Sequence, residues 1–172
     1  DAFGHLGAQG VFSPTDWLYF SVGVADAQAD YRETGLNTAF HGEDYFLGIF
    51  EFGFAPKLPT TRGTLPGNYR FGLWYDPQPK PEFVGAGRRV PIKRDDVGFY
   101  TSFDQMVFRE SPEDDDDQGL GLFLKYGFAD AEVNEVEHFW SAGAQYKGLI
   151  PTRDEDVLGF GIAQGVVSRF VK

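Results

Sequence analysis

The chain has 172 residues, with 15 Lys+Arg against 26 Asp+Glu, a formal charge of −11, and no Cys. No disulfide framework, Cys-based zinc site or thiol nucleophile is possible, and the acidic balance argues against nucleic acid as a partner, because phosphate binding needs a basic footprint. A 42% hydrophobic fraction with 17% aromatics is too apolar for a disordered chain, and the length suits one domain, read as residues 1–172 without an internal boundary.

In chain order, a weak strand is expected near residues 5–12. A clearer one follows over 17–25, where Leu18, Phe20, Val22 and Val24 alternate with Tyr19, Ser21 and Gly23. Over 45–55, Phe46, Gly48, Phe50, Phe52 and Phe54 alternate with a row holding Glu51 and Gly53. Over 68–76, Tyr69, Phe71, Leu73 and Tyr75 alternate with Arg70, Gly72 and Trp74. Strands also fit 97–110, 119–128, 138–149 and 157–168. In the third of these positions from the end, Leu120, Leu122, Leu124, Tyr126 and Phe128 oppose Gly121, Phe123, Lys125 and Gly127. The segment 132–138 comes nearest to an amphipathic helix, and it is short. The fold class expected is all-β, an antiparallel up-and-down meander of about eight strands, each about as long as a tilted strand needs to cross a bilayer.

Hydropathy separates two membrane architectures. No run approaches the ~18–20 apolar residues of a spanning helix. The mean hydropathy of −0.31 is equally compatible with a transmembrane barrel, in which only alternate residues meet lipid. The N-terminus, Asp1-Ala2-Phe3-Gly4, has no basic region followed by an apolar run. No signal peptide is expected there, so the chain is cytoplasmic, already processed or a piece of something longer.

Connections tend to alternate short and long: 13–16 then 27–44, 57–67 then 76–96, 111–118 then 129–137, as in barrels with short turns on one rim and longer loops on the other. Trp17, Tyr19, Trp74, Tyr75, Tyr100, Phe108, Phe128 and Trp140 lie near strand ends, where interfacial girdles would place them. The alternative is a soluble, Phe-rich β-sandwich that binds carbohydrate. Against it stands the second face of several strands, which is Gly with an isolated ion: Gly72 with Arg70, Gly121 and Gly127 with Lys125, Gly143 with Lys147. Gly weakens strands, and a lumen wall crowded by neighbours and solutes is one place that tolerates it.

The stretch Trp140-Ser141-Ala142-Gly143-Ala144-Gln145-Tyr146-Lys147-Gly148-Leu149-Ile150-Pro151 resembles a segment of the carbohydrate-selective porins of the OprB type. The turn Thr152-Arg153-Asp154-Glu155-Asp156 and the strand beginning Val157-Leu158-Gly159-Phe160-Gly161 follow it, as they do in that family. Upstream, Gly119-Leu120-Gly121-Leu122-Phe123-Leu124-Lys125-Tyr126-Gly127-Phe128-Ala129 is similar to a further family strand. Thr152 stands where the family usually has Gly, and Lys125 where it has Arg. Family members are about twice as long or more and form sixteen-stranded barrels, so the chain looks like an internal or partial segment of one. A closed eight-stranded barrel is the other possibility, but its lumen would be packed shut. The resemblance implies an outer-membrane location, passive diffusion of sugars and small neutral solutes, contact with outer-membrane lipid and lipopolysaccharide, and homo-trimers as a common assembly. It implies no cofactor and no catalysis.

Strand parity puts Glu51, Arg70, Asp104, Lys125 and Lys147 on the face away from lipid, where a cation at the bilayer midplane would cost ~2–4 kcal/mol. Opposed acids and bases around a bore would set up a transverse field and offer donors and acceptors to sugar hydroxyls. Inward aromatics, Trp74, Phe123 and Phe139, would offer flat faces to pyranose rings. The plainer expectation is that the ions only pair and stiffen the wall.

Segment 76–96 holds Lys80, Arg88, Arg89, Lys93 and Arg94. It is read as a solvated loop, with a constriction or a lipopolysaccharide-phosphate contact as alternatives. The acidic run Glu113-Asp114-Asp115-Asp116-Asp117 lacks the ligand spacing of a calcium loop and reads as a solvated turn; the same holds for Asp154, Glu155 and Asp156. His5, His41 and His138 are too scattered for a metal site, and no nucleophile elbow or phosphate loop is present. A glycoside hydrolase using Glu51 and Asp104 is the remote third reading.

Overall fold

The structure, a computed structural model, describes residues 6–28, 45–61, 63–83, 90–112 and 117–171. The main sheet is a meander. Its strands are β1 (Gly7–Thr15), β2 (Leu18–Asp26), β3 (Phe46–Phe54), β5 (Gly63–Asp76), β8 (Asp96–Arg109), β9 (Gly119–Ala129), β10 (Val136–Lys147) and β11 (Val157–Val167), each antiparallel to the next in that order. A ninth strand, β4 (Lys57–Thr60), pairs with the start of β5, and β6 (Lys80–Pro81) pairs with β7 (Ile92–Lys93) as a separate ribbon. No helix occurs among the described residues.

The eight expected strands are all present, but two features were not anticipated. Strand β5 starts at Gly63, well before residue 68, because its first four residues form a hairpin with β4. Pro59 and Pro66 make this stretch read as a connection, yet both prolines fit a hairpin projecting from the end of the sheet, where a missing donor is tolerated. Gly63, at φ +85°, turns the corner, and Thr60 Oγ1 donates to its carbonyl at 2.7 Å. The ribbon β6–β7 is only two residues per strand, too short to show a period.

The strand ends joined by 16–17, 55–62, 110–118 and 148–156 lie at one rim, and those joined by 27–45, 77–95 and 130–135 at the other. The first two pairs follow the short–long alternation. The third reverses it, because the 130–135 connection is the tighter of its pair. Strands leaving the sheet at the second rim share a local device. The carboxylates of Asp26, Asp76 and Asp130 each accept a hydrogen bond from the backbone N–H two residues on, at Gln28, Gln78 and Glu132 (2.9–3.0 Å). These are Asx turns, which close a strand end with the residue's own side chain.

The register assigns every main strand two faces. One carries Leu18, Phe20, Val22 and Val24, then Phe50, Phe52 and Phe54, then Tyr69, Phe71 and Leu73, and continues through Phe99, Phe103, Leu122, Leu124, Ala142, Phe160 and Ile162. Aromatic rings join across strands here. Phe52 stacks on Phe71 at 5.1 Å, and Tyr69 meets Phe54 at 5.0 Å and Phe103 at 5.5 Å. The face is nevertheless open to its surroundings: Phe160 is 80% exposed, Phe12 67% and Leu73 59%. Among the described residues Ala131 is the single buried hydrophobic one, whereas Ser21, Asp76, Asp96, Ser102 and Arg109 are buried. Among the described residues no second sheet layer covers the apolar side. A sandwich would bury its Phe rows between two sheets, so the sandwich alternative is overturned.

Candidate solute-contact face

The other face is rich in glycine, and the register explains why. Tyr19 lies directly opposite Gly53, Tyr100 opposite Gly72, Trp74 opposite Gly98 and Phe123 opposite Gly143. In each pair the ring lies across the glycine, so closely that an added Cβ would fall inside van der Waals contact with ring atoms. Phe123 extends over Gly161 on the next strand as well. Gly53, Gly72 and Gly98 are buried beneath these rings. Covering a strand glycine with a cross-strand aromatic restores the packing that the glycine forfeits. It also turns the ring flat against the wall. The glycines therefore serve neighbouring side chains of the wall itself. Phe139 differs: it faces Gly127 and Gly165 and covers neither.

Tyr19 and Tyr100, read from sequence as girdle aromatics, lie on this glycine-rich face, as does Trp74, read both as a girdle and as an inward aromatic. Their proximity to strand ends was correct, but period two assigns them to the opposite side from Tyr75, Phe108, Phe128 and Trp140. The apolar face also carries Tyr126, whose hydroxyl bonds His138 Nδ1 at 2.8 Å. Trp140 Nε1 donates to Gln164 Oε1 at 3.2 Å.

Glu51, Arg70, Trp74, Asp104, Phe123, Lys125 and Lys147 all share the glycine-rich face. Within this sheet they lie beside one another along the wall. Arg70, Ser102 and Lys125 lie side by side on β5, β8 and β9, which sets the Cα atoms of the two basic residues about 10 Å apart at two strand spacings. Glu51 occupies the neighbouring row on one side, opposite Gly72, and Asp104 the row on the other, opposite Phe123. Ser102 Oγ donates to Asp104 at 3.4 Å. Acids and bases thus interleave on one stretch of wall.

Glu51 is the best-anchored of these groups. Its Oε1 accepts from the Tyr19 hydroxyl at 2.7 Å and its Oε2 from the Tyr100 hydroxyl at 2.6 Å. Tyr100 reaches it by crossing the whole of β5 over Gly72. Beside this group, Gln9, Ser21, Gly23 and Ile49 line a depression of about 430 Å³, and Gln9 Nε2 donates to Ser21 Oγ at 2.8 Å. A second depression, about 540 Å³, brings Asp104, Phe123 and Lys147 together with Asn68, Arg109 and Gln145.

Lys147 sits at the end of β10 and is engaged. Its ammonium meets Asp117 at 2.7 Å and Glu155 at 2.9 Å, tying connections 110–118 and 148–156 together. The Lys147 cation holds Asp117 below the ordinary carboxylate pKa. Asp117 closes the acidic run noted above; residues 113–116 lie outside the described set. No group of metal-binding side chains forms among the described residues. Glu155 and Asp156 take part in ion pairs, the latter with Arg153 at 2.5 Å.

At the second rim the basic loop is not simply solvated. Lys80 Nζ bridges Asp76 at 2.7 Å and Asp96 at 2.5 Å and lies over the Trp74 ring. Asp96, 1% exposed, also accepts from Asn134 Nδ2 at 2.9 Å. Lys93 pairs with Asp130 and Glu132, both at 2.6 Å, and Phe83 N–H donates to the Glu132 carbonyl. Burial works against the Lys80 charge, but hydrogen bonds to Asp76 and Asp96 outweigh it and raise its pKa. Hydrogen bonds to Asp130 and Glu132 raise that of Lys93. The loop is fastened to the 130–135 turn. Arg88 and Arg89 lie outside the described residues, as do His5 and His41.

The comparisons agree with this geometry. The profile of the carbohydrate-selective porin, OprB family, matches residues 2–171. The Acinetobacter baylyi protein named "Putative porin QuiX" is 26% identical over 168 residues, covering 94% of this chain and 36% of its own length. A structure of Pseudomonas putida OprB at high pH superposes with a TM-score of 0.78 at 22% identity, over 96% of this chain and 40% of that one. The chain thus spans well under half the length of these relatives, and its sheet corresponds to part of a larger barrel. The family is one of channels, not enzymes, so the hydrolase reading lapses. On the match across nearly its whole length, the chain belongs to the carbohydrate-selective porin, OprB, family.

Proposed function

We propose that this chain forms part of the wall of an outer-membrane channel whose glycine-rich face borders a water-filled path for the passive diffusion of sugars and other small solutes. The observation that carries the reading is the inverted distribution of side chains. Most of the large exposed apolar residues lie on one face of a single sheet, while the ions of the long strands lie on the other face or at the rims. Lipid acyl chains are the natural cover for the first face, since each strand alternates lipid-facing and water-facing residues. The unpaired edges of β1 and β11 in the described sheet require further strands, because only closure satisfies barrel edges in a membrane.

On the water side, Arg70, Lys125, Glu51 and Asp104 supply interleaved donors and acceptors suited to hydroxyl-rich neutral solutes. The flattened faces of Tyr19, Tyr100, Trp74 and Phe123 give apolar surfaces of pyranose size. Lys80 and Lys93 spend their charge on internal carboxylates, which weakens the case for lipopolysaccharide binding by this loop. A homo-trimer is expected from the family and is testable by cross-linking in native membranes. The test of function is single-channel recording of the full-length protein in planar bilayers with glucose titrated in. Stepwise openings partly blocked by sugar support the reading. A protein that stays soluble without detergent and opens no channel contradicts it.

A further inference from the structure

We infer that the Tyr19–Glu51–Tyr100 bridge sets the width of the solute path, acting as a brace that pins two rings flat against the wall. The inference rests on the channel reading and adds a positioning role for Glu51 and a purpose for Gly53 and Gly72. One carboxylate on β3 takes a hydroxyl from β2 on one oxygen and a hydroxyl from β8 on the other, at 2.7 and 2.6 Å. A tyrosine ring reaches about as far from its backbone as the spacing between strands, so a hydroxyl fixed across a neighbouring strand forces the ring to lie down. Lying down needs empty space beneath, and glycine supplies it: Gly53 under Tyr19 and Gly72 under Tyr100, both buried. A methyl at either site cannot coexist with the present ring position. Because the clashing atoms belong to the far end of the ring, the cheapest relief is for the ring to lift away from the wall, into the path.

Two carboxylate oxygens carry about four acceptor sites. Two are used by the tyrosines, leaving lone pairs toward the adjoining depression lined by Gln9 and Ser21. The brace therefore narrows or widens the path at a point where solute hydroxyls can also reach Glu51.

The experiment compares single-channel conductance and open-channel noise of the full-length wild type, Gly72→Ala, Tyr100→Phe, Glu51→Ala and the double variant Gly72→Ala with Tyr100→Ala. Gly72→Ala should lower conductance by about a factor of two, as expected when a ring enters a constriction, and the double variant should recover at least the wild-type value. Glu51→Ala, which leaves the glycines in place, and Tyr100→Phe, which removes only the hydroxyl, should both raise open-channel noise as rings swing free. Unchanged conductance in Gly72→Ala, or an equal loss in the double variant, overturns the inference, as does unchanged noise in both Glu51→Ala and Tyr100→Phe. Wild-type conductance in the same series keeps this outcome separate from failure of the channel reading. Folding of each variant is scored by gel mobility with and without heating, and the noise measurements stand even where Gly72→Ala does not assemble.

Discussion

The two faces of this sheet share one backbone and obey opposite rules. On the apolar face the side chains are bulky and join across strands by ring contacts, with Phe52 on Phe71 and Tyr69 on Phe103. On the glycine-rich face Tyr19, Trp74, Tyr100 and Phe123 lie flat over glycines, and ions interleave among them. Among the described residues of the main sheet, charge lies on this second face and at the rims, where Lys80, Lys93 and Lys147 each bridge two carboxylates. On the channel reading proposed above, the difference means that period two encodes two solvents, lipid on one side and water on the other. The face toward water is not simply polar; it is shaped by glycine.

The largest effect that would break or sharpen this comparison comes from adjacent residues of β11. Ile162 lies on the apolar face and Ala163 on the other. Ile162→Arg should destabilise the full-length protein in lipid vesicles by ~2–4 kcal/mol, while Ala163→Arg should stay within roughly 0.5 kcal/mol. Urea unfolding measures both, and equal costs would contradict the assignment of faces.

A second prediction concerns the rims. Lys80→Ala leaves Asp76 and the buried Asp96 directly opposite each other without their cation. The expected loss is ~1–3 kcal/mol, with faster proteolysis of the 77–95 connection. Adding Asp76→Asn should recover part of it. A change of the same size from Arg94→Ala would mean that the loop is held otherwise.

Thr152 allows a smaller test. It is the only non-glycine residue at positive φ, +72°, among the described residues, in the place where the family resemblance leads one to expect Gly. A β-branched residue is disfavoured there. Thr152→Gly should stabilise by roughly 0.5–1 kcal/mol, the relief of left-handed strain less the added entropy of glycine. The urea midpoint reads it.

The smallest effect is a pH dependence of the Lys93 anchor. Burial would raise the Asp130 pKa, but the Lys93 hydrogen bond and the Glu132 backbone N–H more than offset it and hold it below its ordinary 3.8. A depressed folded pKa contributes stability above the unfolded value and loses it as pH falls through the folded one. The Lys93 pKa is raised above its ordinary 10.5, so its contribution is complete below that pH and fades only as pH rises through the raised value. Protease protection of the loop should therefore be flat between those two ordinary values and fall in more acidic solution. Loss of protection near neutrality would contradict the pairing.

Much of this was legible from residues alone. Alternation located eight strands and placed Glu51, Arg70, Asp104, Lys125 and Lys147 on one face, since parity needs only strand identity. What it missed depends on register. Gly72 meets Tyr100 rather than another residue because of how β5 and β8 align, and no single strand records that alignment. Tyr19 and Tyr100 read as girdle residues from their proximity to strand ends although their parity points the other way, whereas parity already gives Trp74 an inward position. The β4 hairpin was hidden by Pro59 and Pro66, which read as turn residues. The clasps of Lys80 and Lys93 join residues up to 39 positions apart, beyond the reach of local pattern.

The central claim is that alternate residues of each strand meet lipid and water. Because the chain has no Cys, single cysteines can be placed along β9 in the full-length protein and labelled in intact outer membranes with a small water-soluble thiol reagent. The account predicts labelling at positions 121, 123, 125 and 127 and protection at 120, 122, 124, 126 and 128. Uniform labelling, uniform protection or the opposite alternation would contradict it.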